Sequence, residues 1–104
     1  MKQSYNAIKI DKKDNVAVAL KKIEAGEQLS IQGENQDIKV KTEIPFGHKI
    51  ATAFIPKDGK ITKYGECMGI STEDIQPGDH VHVFNVRGLK EEERLTSLKE
   101  HHHN

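Results

Sequence analysis

The chain has 104 residues, sixteen Lys+Arg against sixteen Asp+Glu, and a formal net charge of zero. That balance argues against a dedicated nucleic-acid binder, which shows a basic excess or stripe. With 35% hydrophobic and 5% aromatic residues and no Trp, one thin core rich in Ile and Val is expected, with little room for a deep pocket.

The first predicted element is Ala7 to Ile10, where apolar and polar residues alternate with the period of a half-buried strand. A polar turn, Asp11 to Asn15, separates it from the apolar run Val16 to Leu20, which reads as a buried strand. Leu29 to Ile31 and Ile38 to Thr42 flank the turn-rich stretch 33–36 and predict a β-hairpin with a long loop. Further strands are predicted over Lys49 to Ile55, Lys60 to Lys63 and Asp79 to Val86. In the last, Val81, Val83 and Asn85 fall on one face, and His80, His82 and Phe84 on the other. A short exposed helix is predicted from Leu89 to Leu98, giving a domain over 1–88 and a helix or tail over 89–104. The terminal histidine run 101–103 is set aside from site reasoning.

One spacing recurs. Ile23 and Leu29 lie six apart around Gly26, Ile44 and Ile50 around Gly47, and Ile75 and Val81 around Gly78. Ile55 and Ile61 keep the interval, but the glycine, Gly59, is one position late. A glycine there supplies positive φ for a tight turn, and the flanking apolar residues return to one core. Four such turns predict a small all-β unit with short strands.

Chemistry-bearing residues are few. His48 follows a turn glycine, and a His-x-His pair on one strand, His80 and His82, supplies two metal ligands on one face. Asp79, Glu66, Cys67 and His48 are candidate further donors, and a solvent-facing strand edge is the alternative reading. Lys49 and Lys63 can act as point charges for a carboxylate or phosphate. Tyr64 can donate a phenolic hydrogen bond or pack by its ring. Cys67, within an apolar stretch, reads as a buried small hydrophobe, and a lone cysteine excludes an internal disulfide. The sequence has no membrane-length apolar run and no signal-peptide pattern. A cytoplasmic location is expected, without membrane or nucleic acid as partner.

In chain order, Gly47-His48-Lys49, Lys63-Tyr64-Gly65, Gly69-Ile70 and Gly78-Asp79-His80-Val81-His82-Val83-Phe84-Asn85 resemble the small N-terminal SAF-type domain of the altronate and galactarate dehydratases. The same domain occurs as a small subunit in sulfolactate sulfo-lyase. The resemblance spans roughly residues 7 to 87 and implies an all-β SAF-type β-clip fold. It also implies a hydro-lyase that removes water from a sugar acid such as altronate, giving 2-dehydro-3-deoxy-gluconate. A divalent metal, iron or manganese, is implied for the complete enzyme. So is a large catalytic subunit or domain as partner, with the isolated chain inactive. Association with copies of itself is compatible with the resemblance.

Carried over by position, His48, Lys49 and Tyr64 are the implied catalytic residues, His80 and His82 the metal residues, and Asn85 a substrate-binding residue. Family members often carry a third histidine where this chain has Phe84. Two alternatives stay open: a sulfolactate sulfo-lyase subunit, and a stand-alone module binding a sugar acid or metal.

Overall fold

A computed structural model describes residues 5–34 and 37–94. In chain order the strands are β1 (Ala7–Ile8), β2 (Val16–Ala19), β3 (Lys49–Ala51), β4 (Lys60–Lys63), β5 (Glu66–Ser71), β6 (His80–Val81) and β7 (Val86–Arg87). They form two antiparallel sheets, ordered β1-β2-β3-β6 and β4-β5-β7. Helix is confined to residues 91–94 among the described residues. The all-β expectation holds.

The alternation of β2 explains where the core sits. Ala17 and Ala19 point into one apolar cluster with Ile23, Val40, Ile44 and Ile50, while Val16 points into a second with Ile55, Ile61, Ile75 and Val81. A strand buried on both faces needs a continuous apolar run, and that is what residues 16–19 supply. The six most deeply buried isoleucines, Ile23, Ile44, Ile50, Ile55, Ile61 and Ile75, each contribute about 1.5–3 kcal/mol relative to exposure. The core therefore closes with no aromatic side chain among its buried hydrophobics.

The recurring turns form the frame. In each, the third residue after the isoleucine has positive φ: Gly26 at 87°, Gly47 at 84°, Asp58 at 69° and Gly78 at 93°. Hydrogen bonds Glu27 N to Glu24 O, His48 N to Pro45 O, Gly59 N to Pro56 O and Asp79 N to Gln76 O close them. Positive φ at the third turn position with this bond is the type II pattern. The displaced glycine is thus no exception in backbone terms. Asp58 takes the left-handed position, and Gly59 is required for space, since a Cβ there would lie 2.7 Å from Pro56 O. The turns pair through their leading isoleucines. Ile23 and Ile44 exchange both backbone hydrogen bonds, at 2.8–2.9 Å, and Ile55 and Ile75 do so at 2.7–2.8 Å.

Several predicted elements come out differently. Lys49 to Ile55 is a strand only to Ala51, since the chain bends at residues 52–53 and Ile55 bridges to Ile75 instead. The hairpin around residues 33–36 is pared down to a single bridge, Gln28 with Lys39. The longest strand, β5, was not predicted: Gly69 interrupts its apolar pattern, yet a Cβ at Gly69 would meet Val86 Cγ1 at 2.7 Å, so the close approach of β7 needs the glycine. The Asp79–Val86 strand breaks after Val81, and residues 82–85 form a turn. Of the helix predicted over 89–98, residues 91–94 are helical and 95–98 lie outside the described residues.

Candidate functional site

Three histidines meet at one end of the β3–β6 ladder. His48 immediately precedes β3, as the last residue of the Gly47 turn. Ile50, two residues on, pairs with His80, so the pleat puts His48 and His80 on the same side. His82 joins them because the chain turns after Val81. Asn85 makes that turn: its Oδ1 accepts from His82 N at 2.9 Å and its Nδ2 donates to His80 O at 2.8 Å. Asn85 is buried.

The imidazoles stack. Ring centroids are 4.2 Å apart for His48 and His82, 5.1 Å for His48 and His80, and 5.4 Å for His80 and His82. His48 Nδ1 and His80 Nε2 share a hydrogen bond at 2.9 Å, so one of the two nitrogens carries the proton. One nitrogen from each ring lies within 4.8 Å of the other two. Burial and the neighbouring His48 and His82 rings, with Lys49, hold the His80 pKa below the ordinary histidine value. Burial, His48 and Lys49 lower that of His82 likewise. Neutral imidazole is the metal-binding form.

The three imidazoles could hold a divalent ion after a small inward shift, since their span of up to 4.8 Å exceeds the roughly 4.2 Å that two nitrogens on one ion can reach. Two nitrogens at about 2.1 Å from one ion and at right angles stand about 3 Å apart, close to the His48–His80 separation. Three nitrogen ligands also leave coordination positions for water or substrate. The expected pair thus becomes a triad, its third member His48 rather than residue 84. Phe84 instead sets its ring edge-on against His80, centroids 5.1 Å apart. Beside the triad, Val83 and Phe84 are 80% and 59% exposed.

Beside the triad lies a cavity of about 240 Å³ lined by Lys49, Met68, His82, Val83, Val86 and Arg87. Burial and the like charge of Lys63 push the Lys49 pKa down. Arg87 is spoken for: both of its terminal nitrogens bind the Glu93 carboxylate, at 2.9 Å each. That fork, with the Lys90 backbone N–H, lowers the Glu93 pKa to about 2.

The remaining expected residues have other surroundings. Tyr64 sits with Gly65 in the β4–β5 hairpin, both with positive φ (58° and 73°), the pattern of a type I′ turn. Its ring lies 4.8 Å from Lys63 Nζ, and no ring contact joins it to the triad among the described residues. Asn85, expected at the substrate, spends its amide on the backbone of the two histidines. Its role here is to position His82. Cys67 is half-buried rather than buried, with Sγ 3.5 Å from Gly69 O.

Asp14 escaped the sequence reading. Its buried carboxylate accepts from the backbone N–H groups of Asp11, Tyr64 and Gly65 at 2.8–3.1 Å, tying the first turn to the hairpin. The only signal was an Asp at the end of a polar turn, a pattern that many turns share.

Fold and site together define a small all-β domain that presents imidazoles on one face. Residues 5–89 match the altronate/galactarate dehydratase SAF domain, and the chain belongs to that family. It is 45% identical over 80 residues to altronate dehydratase of Bacillus subtilis and 40% identical over 80 residues to that of Escherichia coli. Those stretches cover 77% of this chain but 16% of each relative's length. It is also 37% identical over 74 residues to (2R)-sulfolactate sulfo-lyase subunit alpha of Chromohalobacter salexigens, covering 67% of this chain and 79% of that subunit. No helix among the described residues is long and apolar enough to cross a membrane.

Proposed function

We propose that this chain is the SAF component of a sugar-acid dehydratase and works by completing an active site on a larger lyase component. The carrying observation is the His48–His80–His82 triad flanked by exposed Val83 and Phe84. Apolar side chains exposed around a polar centre are characteristic of a surface covered by a partner. The relatives fit this division of labour, since the matched region is a small part of altronate dehydratase and most of a sulfo-lyase subunit.

Eliminating a hydroxyl β to a carboxylate needs a base for the α-proton, an acid for the leaving hydroxyl and stabilisation of the enediolate. The triad would hold a divalent ion, which supplies Lewis-acid stabilisation when bound. The fold keeps the three rings mutually stacked, and the hydrogen bond between His48 and His80 would be given up when an ion takes those two nitrogens. Asn85 fixes the backbone that carries His80 and His82.

The test combines the chain with the large lyase component of the same cell and follows dehydration of altronate. No turnover is expected from the chain alone, turnover from the pair, and loss of both turnover and metal affinity in the His80→Ala, His82→Ala double variant. Turnover by the isolated chain, or metal affinity unchanged in the double variant, would refute the reading. The high coverage of the sulfo-lyase subunit favours a second substrate, and sulfite release from sulfolactate in the same assay distinguishes the two.

A further inference from the structure

We infer that the cavity beside the triad binds the carboxylate of a small hydroxy acid, with Lys49 as its anchor; this deepens the lyase reading above and rests on it for the acid's identity. The argument begins with unbalanced charge. Lys49 lies in β3 between Val18 of β2 and Val81 of β6, so its stem is held against apolar neighbours. The residue is half-buried, and its ammonium takes part in no ion pair among the described residues. A partly desolvated cation without a counter-charge is costly, and a bound anion removes the cost.

The rest of the cavity selects the kind of anion. Arg87 reaches it already neutralised by Glu93, which leaves Lys49 as the unpaired cation on its wall. One positive point charge suits a single carboxylate. Met68, Val83 and Val86 form an apolar flank, against which a short carbon chain can lie. His82 lines the same cavity and stacks on His48 at 4.2 Å. An acid anchored at Lys49 therefore extends toward the imidazoles. A carboxylate side chain of a protein partner would satisfy the same lysine, and the experiment separates the two sources.

The probe is D-gluconate, added to the metal-free chain and followed by backbone and imidazole NMR shifts. Saturable shifts are expected at Val83, Arg87 and the His82 ring, with none from the uncharged sorbitol. Lys49→Met should weaken binding about tenfold, the loss of one charge-assisted contact. Lys49→Arg should keep it within about threefold, since the positive charge survives. Amide dispersion checks that both variants fold, and cobalt absorption checks that the triad still takes metal. Gluconate binding unaffected by Lys49→Met would overturn the inference. So would the absence of saturable shifts, which leaves the lysine to a partner's carboxylate. Because the readout needs neither metal nor turnover, failure of the lyase assay leaves this result standing, and the reverse also holds.

Discussion

The Gly78 and Gly47 turns, set side by side, show how the frame makes room for chemistry. In the Gly78 turn the residue after the glycine is Asp79, whose carboxylate accepts from Gln76 N at 2.7 Å and closes the turn from within. Glu27 does the same for Glu24 N in the Gly26 turn, at 3.0 Å. In the Gly47 turn that position is His48, whose ring leaves the turn and joins His80 at 2.9 Å. The backbone is alike in both places, with φ of 84° and 93° at the glycines. What differs is the use of one side chain: an acid there stabilises locally, and a histidine gives up that bond to build a site. Sequence departures at an otherwise repeated position mark functional sites for this reason.

The largest expected effect separates the two glycines. Gly78→Ala combines a left-handed φ with a Cβ driven into the Lys39 carbonyl oxygen, a backbone atom. Urea unfolding should show a loss of at least about 3 kcal/mol, or no folded protein. Gly47→Ala meets open space and should lose only about 1 kcal/mol. Equal losses would mean that the close approach to Lys39 does not matter.

The intermediate effect exchanges the two uses. His48→Asp should install the missing turn bond and change stability by no more than about 1 kcal/mol in the favourable direction, while cutting cobalt affinity at least tenfold. Unchanged cobalt affinity would remove His48 from the triad.

The smallest effect concerns the segment after β7. Glu93 is held down to about 2 by Arg87 first and the Lys90 N–H second. A carboxylate with a depressed folded pKa contributes fully above its ordinary value of 4.5, and the contribution fades as pH falls toward 2. The Arg87 side-chain NMR signals should shift in a step centred at the folded value of about 2, and Glu93→Gln should abolish the step. A step centred near 4.5 would mean that the fork is not formed in solution.

The turn frame was legible because glycine and isoleucine spacing is a local property. Asp58 shows its limit: the left-handed position was hidden by a glycine one residue later that serves space rather than φ. The histidine pair was legible as well, but for a partly wrong reason. A strand through Asn85 would have placed His80 and His82 on one face by alternation, whereas the structure breaks the strand and uses Asn85 to bring His82 round. Inclusion of His48 could not be read locally, since the β3–β6 register decides it. Tyr64, implied as catalytic by the resemblance, stands in the two-residue loop of the β4–β5 hairpin, a backbone placement that Lys63-Tyr64-Gly65 did not reveal in the sequence. β5 was missed because Gly69, a poor strand former, is there to admit β7.

The long separation of the triad's members has a kinetic consequence. His48 and His80 are 32 positions apart, and the ladder that brings them together joins strands on either side of the whole Ile55 to Ile75 unit. Contacts of that reach close late, after the local turns have formed, and make a small β-domain fold on the millisecond-to-second scale. A partly folded chain therefore carries turns but no triad, and can capture an ion only as separate, weak imidazoles. On the proposed reading, metal loading would therefore follow completion of the fold, and a partner would meet the loaded face only on a finished domain.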